Sequence, residues 1–270
     1  MAIRGEGERT SAAPPFPARR VVLLGASNLA IGLPTVIAEA KTAWGAPLDF
    51  LAALGHGRSY GMESRVFARS LPGILTCGLW EALAQRSLAD TAALVTDVGN
   101  DLLYGATPEQ IAMWVEQCVL RLRGISAATV VTELPLASLG RLGFFRFLLM
   151  RTLFFPTSQL AYDEAVKQAR ELNRRVQEIV PPNEAHLVTP RASWYGFDPI
   201  HIRSRDRRIA WREILACWNR AGQAATPGLS PRDRFALRCL RPERRCLFGI
   251  EQRQAQPVRT LSDGTLVSLY

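Results

Sequence analysis

The sequence predicts an α/β fold: a central parallel sheet with helices on both faces. Short apolar runs recur, each stopped by glycine or polar turn residues, as strands buried on both faces are. Segments of helical periodicity separate them. The strand–helix alternation repeats five times from residue 20 onward, the pattern of crossover units in a parallel sheet.

In chain order, Val21-Val22-Leu23-Leu24 is the first strand, closed by Gly25, and a helix is expected over about 28–43. Residues 48–54 form the second strand and run into Gly55-His56-Gly57. Residues 62–87 carry a mixed helical pattern broken at Pro72-Gly73. Residues 92–96 are the third strand. The next helix has a strong start signal: Thr107 as cap, Pro108 at the first helical position and Gln110 to close a capping box, with Gly124 as the stop. Residues 129–132 are the fourth strand. Tyr162, Ala165, Ala169, Leu172, Val176 and Ile179 share one face of an amphipathic helix that Pro181-Pro182 ends. Residues 186–188 are the fifth strand, and a last helix is expected over about 206–220.

This reading divides the chain into a mobile arm at 1–18, a main domain at 19–222 and a basic extension at 223–270. An apolar insertion at 136–157, rich in Phe and Leu, interrupts the main domain; it is a lid or acyl-binding wall, an extra packed helix, or a dimer contact. In the extension, Ser262-Asp263-Gly264 between alternating runs predicts a β-hairpin.

Composition narrows the function classes. A hydrophobic share of 48% supports a sizeable core, which argues against bulk disorder. The net charge of +9 fits an Arg-rich solvated surface or an acidic partner. The basic tail lacks a nucleic-acid-binding motif, so no sequence-specific nucleic acid is expected. Arg141, Arg146 and Arg151 spread round a helix and make no single cationic stripe, so membrane contact is allowed but not favoured. Five irregularly spaced cysteines and three histidines argue against a disulfide framework or structural zinc. The N-terminus has no apolar signal region, and no uncharged apolar stretch is long enough to span a membrane. A cytoplasmic location is expected.

Open parallel sheets gather ligands at the carboxyl ends of their strands. Strand one ends in Gly25-Ala26-Ser27-Asn28, which places Ser27 at a helix start. Strand three ends in Asp97-Val98-Gly99-Asn100-Asp101, where Asn100 can aim an amide donor into the crevice. Asp97 is expected to satisfy backbone donors at the strand end. Gly55-His56-Gly57-Arg58 ends strand two; His56 shapes the pocket mouth, and Arg58 meets an anionic group or makes a surface salt bridge. Strand five is followed by Asp198-Pro199-Ile200-His201, a spacing that lets one loop carry an imidazole base and the carboxylate that orients it. Taken singly, each also fits a helix cap, a turn or a surface histidine.

Together these segments resemble the blocks of the SGNH (GDSL) serine hydrolases. Gly25-Ala26-Ser27-Asn28 resembles the nucleophile block GDSN, Val98-Gly99-Asn100-Asp101 the G-x-N-D block, and Asp198-Pro199-Ile200-His201 the D-x-x-H block. The resemblance covers roughly residues 20–220 and implies a three-layer, flavodoxin-like SGNH-hydrolase fold. It implies a catalytic triad of Ser27, Asp198 and His201, and an oxyanion hole made by Ser27, Gly57 and Asn100. Gly55 competes with Gly57 for the second block. The chain departs from the family at Ala26, where an Asp supporting the turn is usual. The implied activity is hydrolysis of a carboxylic ester, on a small-molecule or acyl substrate, without metal or organic cofactor. Two rivals remain: an acyltransferase on the same fold, and a noncatalytic binding protein using a degenerate one. The acyl group, the alcohol and the oligomeric state are not readable from the sequence.

Overall fold

A computed structural model describes residues 16–139, 160–219 and 228–270. Eleven strands run through these described residues: β1 (Arg19–Leu24), β2 (Asp49–Ala53), β3 (Ser64–Val66), β4 (Arg69–Leu71), β5 (Asp90–Val95), β6 (Ser126–Thr132), β7 (His186–Val188), β8 (Arg244–Leu247), β9 (Ile250–Arg253), β10 (Arg259–Thr260) and β11 (Leu266–Leu269). Seven form the central sheet in the order β10-β11-β2-β1-β5-β6-β7. Its pairs are parallel except the edge pair β10–β11.

The two faces of this sheet explain why its strands read as unbroken apolar runs. Val21, Leu23, Phe50, Ala52, Ala92 and Leu94 join one buried cluster; their neighbours Val22, Leu24, Leu51, Ala53, Ala93 and Val95 join another. The helices Ser27–Trp44 and Arg207–Ile214 cover the first face, through residues such as Val36, Ile37 and Trp211. The helices Pro108–Arg123 and Tyr162–Ile179 cover the second, through Ile111, Val115, Leu172 and Val176. Each large apolar side chain so buried stabilises by about 1.5–3 kcal/mol. This is the three-layer α/β architecture. The predicted capping box is present, with Thr107 N–H donating to Gln110 Oε1 at 3.0 Å and Gln110 N–H to Thr107 Oγ1 at 3.3 Å.

Three expectations need correction. Residues 62–87 are not mainly helical: β3 and β4 form a hairpin, followed by a short turn of 3-10 helix and the helix Leu79–Ala84. The hairpin is stabilised by β8, which lies far along the chain and pairs with β4 in a separate antiparallel sheet ordered β3-β4-β8-β9. The last predicted helix stops at Ile214, and a 3-10 turn, Ala216–Trp218, seats Trp218 in the core. Arg58 makes no surface salt bridge: it is fully buried and donates to the main-chain oxygens of Leu54 and Tyr270.

The C-terminal residues supply strands to both sheets. The Asp-Gly turn joins β10 to β11, and β11 runs parallel to β2, with Leu266 opposite Asp49 and Leu269 opposite Ala52. The apolar insertion falls on residues 136–157, of which only the short helix Leu136–Leu139 is described; residues 140–159 lie outside the described residues, as do 1–15. No helix among the described residues is long and apolar enough to cross a membrane.

Candidate active site

Gly25 closes β1, and its lack of a side chain is required: a Cβ there would stand 2.7 Å from Thr96 Cγ2 at the end of β5. The chain then turns through Ala26 and enters its first helix at Ser27. The turn is held by Asp97. This residue has φ +59°, and its carboxylate accepts the N–H groups of Ala26 at 3.0 Å and Leu29 at 3.2 Å. Asp97 therefore does satisfy backbone donors at the end of its strand, and supports the turn at Ala26 and Ser27 from outside it.

Asn28 extends this support to the loop of Asp198 and His201. Its Nδ2 donates to Asp97 Oδ1 at 2.9 Å and to the Ile200 carbonyl at 2.8 Å, while its Oδ1 accepts the Ile202 N–H at 2.9 Å. One side chain so clamps the turn at Ser27 to both sides of His201. The motif contained Asn28, but nothing in its local pattern disclosed this double contact across 172 to 174 positions.

The structure brings Ser27, His201 and Asp198 into one line. Ser27 Oγ lies 2.9 Å from His201 Nε2, and His201 Nδ1 lies 2.6 Å from Asp198 Oδ2. Asp198 Oδ1 accepts the N–H groups of Ile200 at 3.0 Å and His201 at 3.2 Å, which fixes the carboxylate against its own loop. Burial works to raise the Asp198 carboxyl, but the hydrogen bond and charge of His201, with these two N–H groups, hold it below the ordinary value. It remains an acceptor that orients the imidazole.

Ser27 and Asn100 line a mostly apolar cavity of ≈ 160 Å³. Its walls come from the end of β6, from Ala165 and Ala169, and from Trp211 and Ile214. Leu134 and Pro135 before the apolar insertion, and Leu160 after it, also line this space. The Asn100 amide reaches the Arg58 carbonyl at 3.4 Å, which engages one N–H and, among the described residues, leaves the other for a ligand. Gly57 is outside the cavity lining. It lies on the loop that presents that Arg58 carbonyl, has φ +64°, and accepts the Tyr104 hydroxyl at 2.8 Å. Gly55 has a packing role, since a Cβ on it would meet Leu71 Cδ1 at 2.5 Å. His56 is exposed and outside the cavity lining; desolvation of its ring, then the charges of Arg69 and His201, hold it below its ordinary value.

No family model matches the chain, and no curated protein matches it. Solved structures do. The inhibitor-bound aryl esterase of M. smegmatis superposes with a TM-score of 0.50 at 16% identity, over 73% of this chain and 97% of that one. TesA aligns at 0.46 and 15% identity, over 74% and 97%. A member of the lipolytic G-D-S-L family from Veillonella parvula aligns at 0.46 and 10%, over 74% and 97%. The chain has the SGNH-hydrolase fold. On that fold the carboxyl ends of β1, β2 and β5, with the loop after β7, are where Ser27, Gly57, Asn100 and the Asp198–His201 pair reside.

Proposed function

We propose that the protein is a serine hydrolase that cleaves a carboxylic ester through an acyl-enzyme on Ser27. The observation that carries this reading is the unbroken hydrogen-bonded line from Ser27 Oγ through His201 to Asp198 at the wall of an apolar cavity. His201 Nε2 takes the hydroxyl proton as Ser27 Oγ attacks the ester carbonyl carbon. The N–H groups of Ser27, Gly57 and Asn100 stabilise the oxyanion that forms. The intermediate collapses, the alkoxide leaves with the proton from His201, and the acyl group stays on Ser27. Water, deprotonated by His201, then attacks the acyl carbonyl; the acid departs and Ser27 regains its proton.

The lining favours an acyl chain over a polar group, so the substrate is a small-molecule or acyl ester. The described cysteines are all free, which suits a reducing compartment such as the cytoplasm. The test is labelling by a fluorophosphonate probe together with an ester panel of graded acyl length. Ser27 is expected to carry the label, and Ser27→Ala to abolish labelling and turnover together. A wild-type protein that neither labels nor turns over any ester would overturn the reading. Added alcohol acceptors distinguish hydrolysis from acyl transfer by the product formed.

A further inference from the structure

Two hairpin turns stand side by side at one end of the small sheet. Phe67-Ala68 joins β3 to β4, and Phe248-Gly249 joins β8 to β9. Because β4 and β8 are antiparallel, with Arg69 opposite Leu247, both turns fall at the same end, and the Phe248 N–H donates to the Ala68 carbonyl at 2.8 Å. Phe67 has φ +53° and Phe248 φ +51°. In that region a Cβ crowds the backbone, so glycine and asparagine occupy it readily and phenylalanine rarely. The two side chains are 76% and 79% exposed, and Ile250 beside them is 66% exposed. Large apolar side chains thus stand mostly exposed at positions whose backbone disfavours them.

The surroundings are cationic. Segments 63–71 and 244–253 carry five arginines against two glutamates. Arg244 and Arg253 share Glu251. Arg65, Arg69 and Arg245 have no acidic partner among the described residues. Desolvation, and then the charge of Arg245, hold the Arg69 guanidinium below its ordinary value, so the two cations crowd each other. This end of the sheet also adjoins the candidate site: Arg69 Nη2 donates to the His56 carbonyl at 3.2 Å, on the loop that continues to Gly57.

We propose that these two hairpin tips dock the protein on an anionic phospholipid bilayer, with Phe67, Phe248 and Ile250 entering the headgroup boundary and the arginines meeting lipid phosphates. A bilayer takes both the apolar tips and the charge at once. A dissolved polyanion would use the arginines and leave the rings in water. Docking in this way sets the loop of His56 and Gly57 close to the lipid surface.

The test is cosedimentation of the full chain with vesicles of phosphatidylcholine and phosphatidylglycerol, and with vesicles of phosphatidylcholine alone. Wild type is expected to bind the anionic vesicles at low salt, more weakly at about 0.5 M salt, and the neutral ones least. The double variant Phe67→Asn, Phe248→Asn is expected to lower partitioning about tenfold or more. Asparagine suits a positive φ, so the variant keeps or raises the melting temperature, which separates lost docking from lost folding. Anionic vesicles left unbound by wild type at low salt would overturn the proposal, as would equal binding by the folded variant. A wild-type dimer that the variant breaks, with no vesicle binding, would also overturn it and assign the tips to self-association. The readout is binding, so it stands apart from the outcome of the ester assays.

Discussion

The two ends of the central sheet use charge in opposite ways. At the amino end, Asp49 is wholly buried, with its Oδ2 3.2 Å from both Arg20 Nε and Arg86 Nε. Two guanidinium groups hold one buried carboxylate there and close that end of the sheet. At the carboxyl end, Asp97, Asn28, Asp198 and His201 are joined by hydrogen bonds that finish on a serine hydroxyl at a cavity. Every buried polar group needs partners at either end. Only at the carboxyl end does the network lead to a group placed to react. Mutations at the amino end should therefore act on stability, and mutations at the carboxyl end on turnover.

The largest expected effect is at Ser27, the proposed nucleophile. Ser27→Ala should lower kcat by on the order of 10⁶ and leave the melting temperature near that of wild type. The measurement is steady-state hydrolysis of the best ester in the panel, beside thermal unfolding of the same preparation. Activity surviving in the purified variant would require a different nucleophile and erase the distinction between the ends.

Asp49→Asn probes the other end. It leaves Arg20 and Arg86 with an uncharged partner in a buried setting. Removing one member of a buried ion cluster typically costs about 3–5 kcal/mol. Denaturant unfolding should show a loss of that order, while kcat per folded molecule stays at the wild-type value. A fall in kcat with little loss of stability would mean that the two ends are coupled.

The sequence disclosed these two ends unequally. Strand runs such as Val21-Val22-Leu23-Leu24 are legible because burial on both faces leaves no polar position to confuse the period. The capping box at Thr107 is legible because its chemistry is local. The small sheet was not, since β3 and β4 are three residues each and find β8 about 180 positions later. Likewise Arg58 reads as a surface residue by type, and only the arrival of Tyr270 beside it explains its burial. Within the candidate site, Ser27, Asp198 and His201 were legible as strand-end motifs that the fold brings together. The clamp by Asn28 was not, because its partners are set by tertiary contact rather than spacing.

Asn100→Ala addresses the proposed oxyanion site. If its free N–H binds the charge developing on the carbonyl oxygen, kcat should fall by roughly 10²–10³ with a smaller change in KM. A variant with normal kcat and raised KM would reassign Asn100 to binding the ground state, and the hole would then rest on main-chain donors.

The smallest expected effect concerns the neighbouring Asp101, a buried carboxyl at the reactive end. It accepts the Ser59 hydroxyl and, at 3.0 Å, the Tyr60 N–H, and so pins the segment that follows Gly57 and Arg58. Burial raises this carboxyl to about 6 from an ordinary value of 3.8, against the opposing pull of those two donors. The folded protein then keeps a proton that the unfolded chain releases between those values. Its contribution to stability is fully present below about pH 3.8 and is lost as pH rises through about 6. The shift bounds the change at about 3 kcal/mol. Asp101→Asn cannot titrate, so wild-type stability relative to this variant should decline across that window and level off above it. Denaturant unfolding of both proteins at several pH values measures the difference. A difference independent of pH would mean that the Ser59 and Tyr60 donors offset burial completely. The buried carboxyl at this end would then stay ionised across the range, as Asp49 does between two arginines, and the contrast between the two ends would rest on turnover alone.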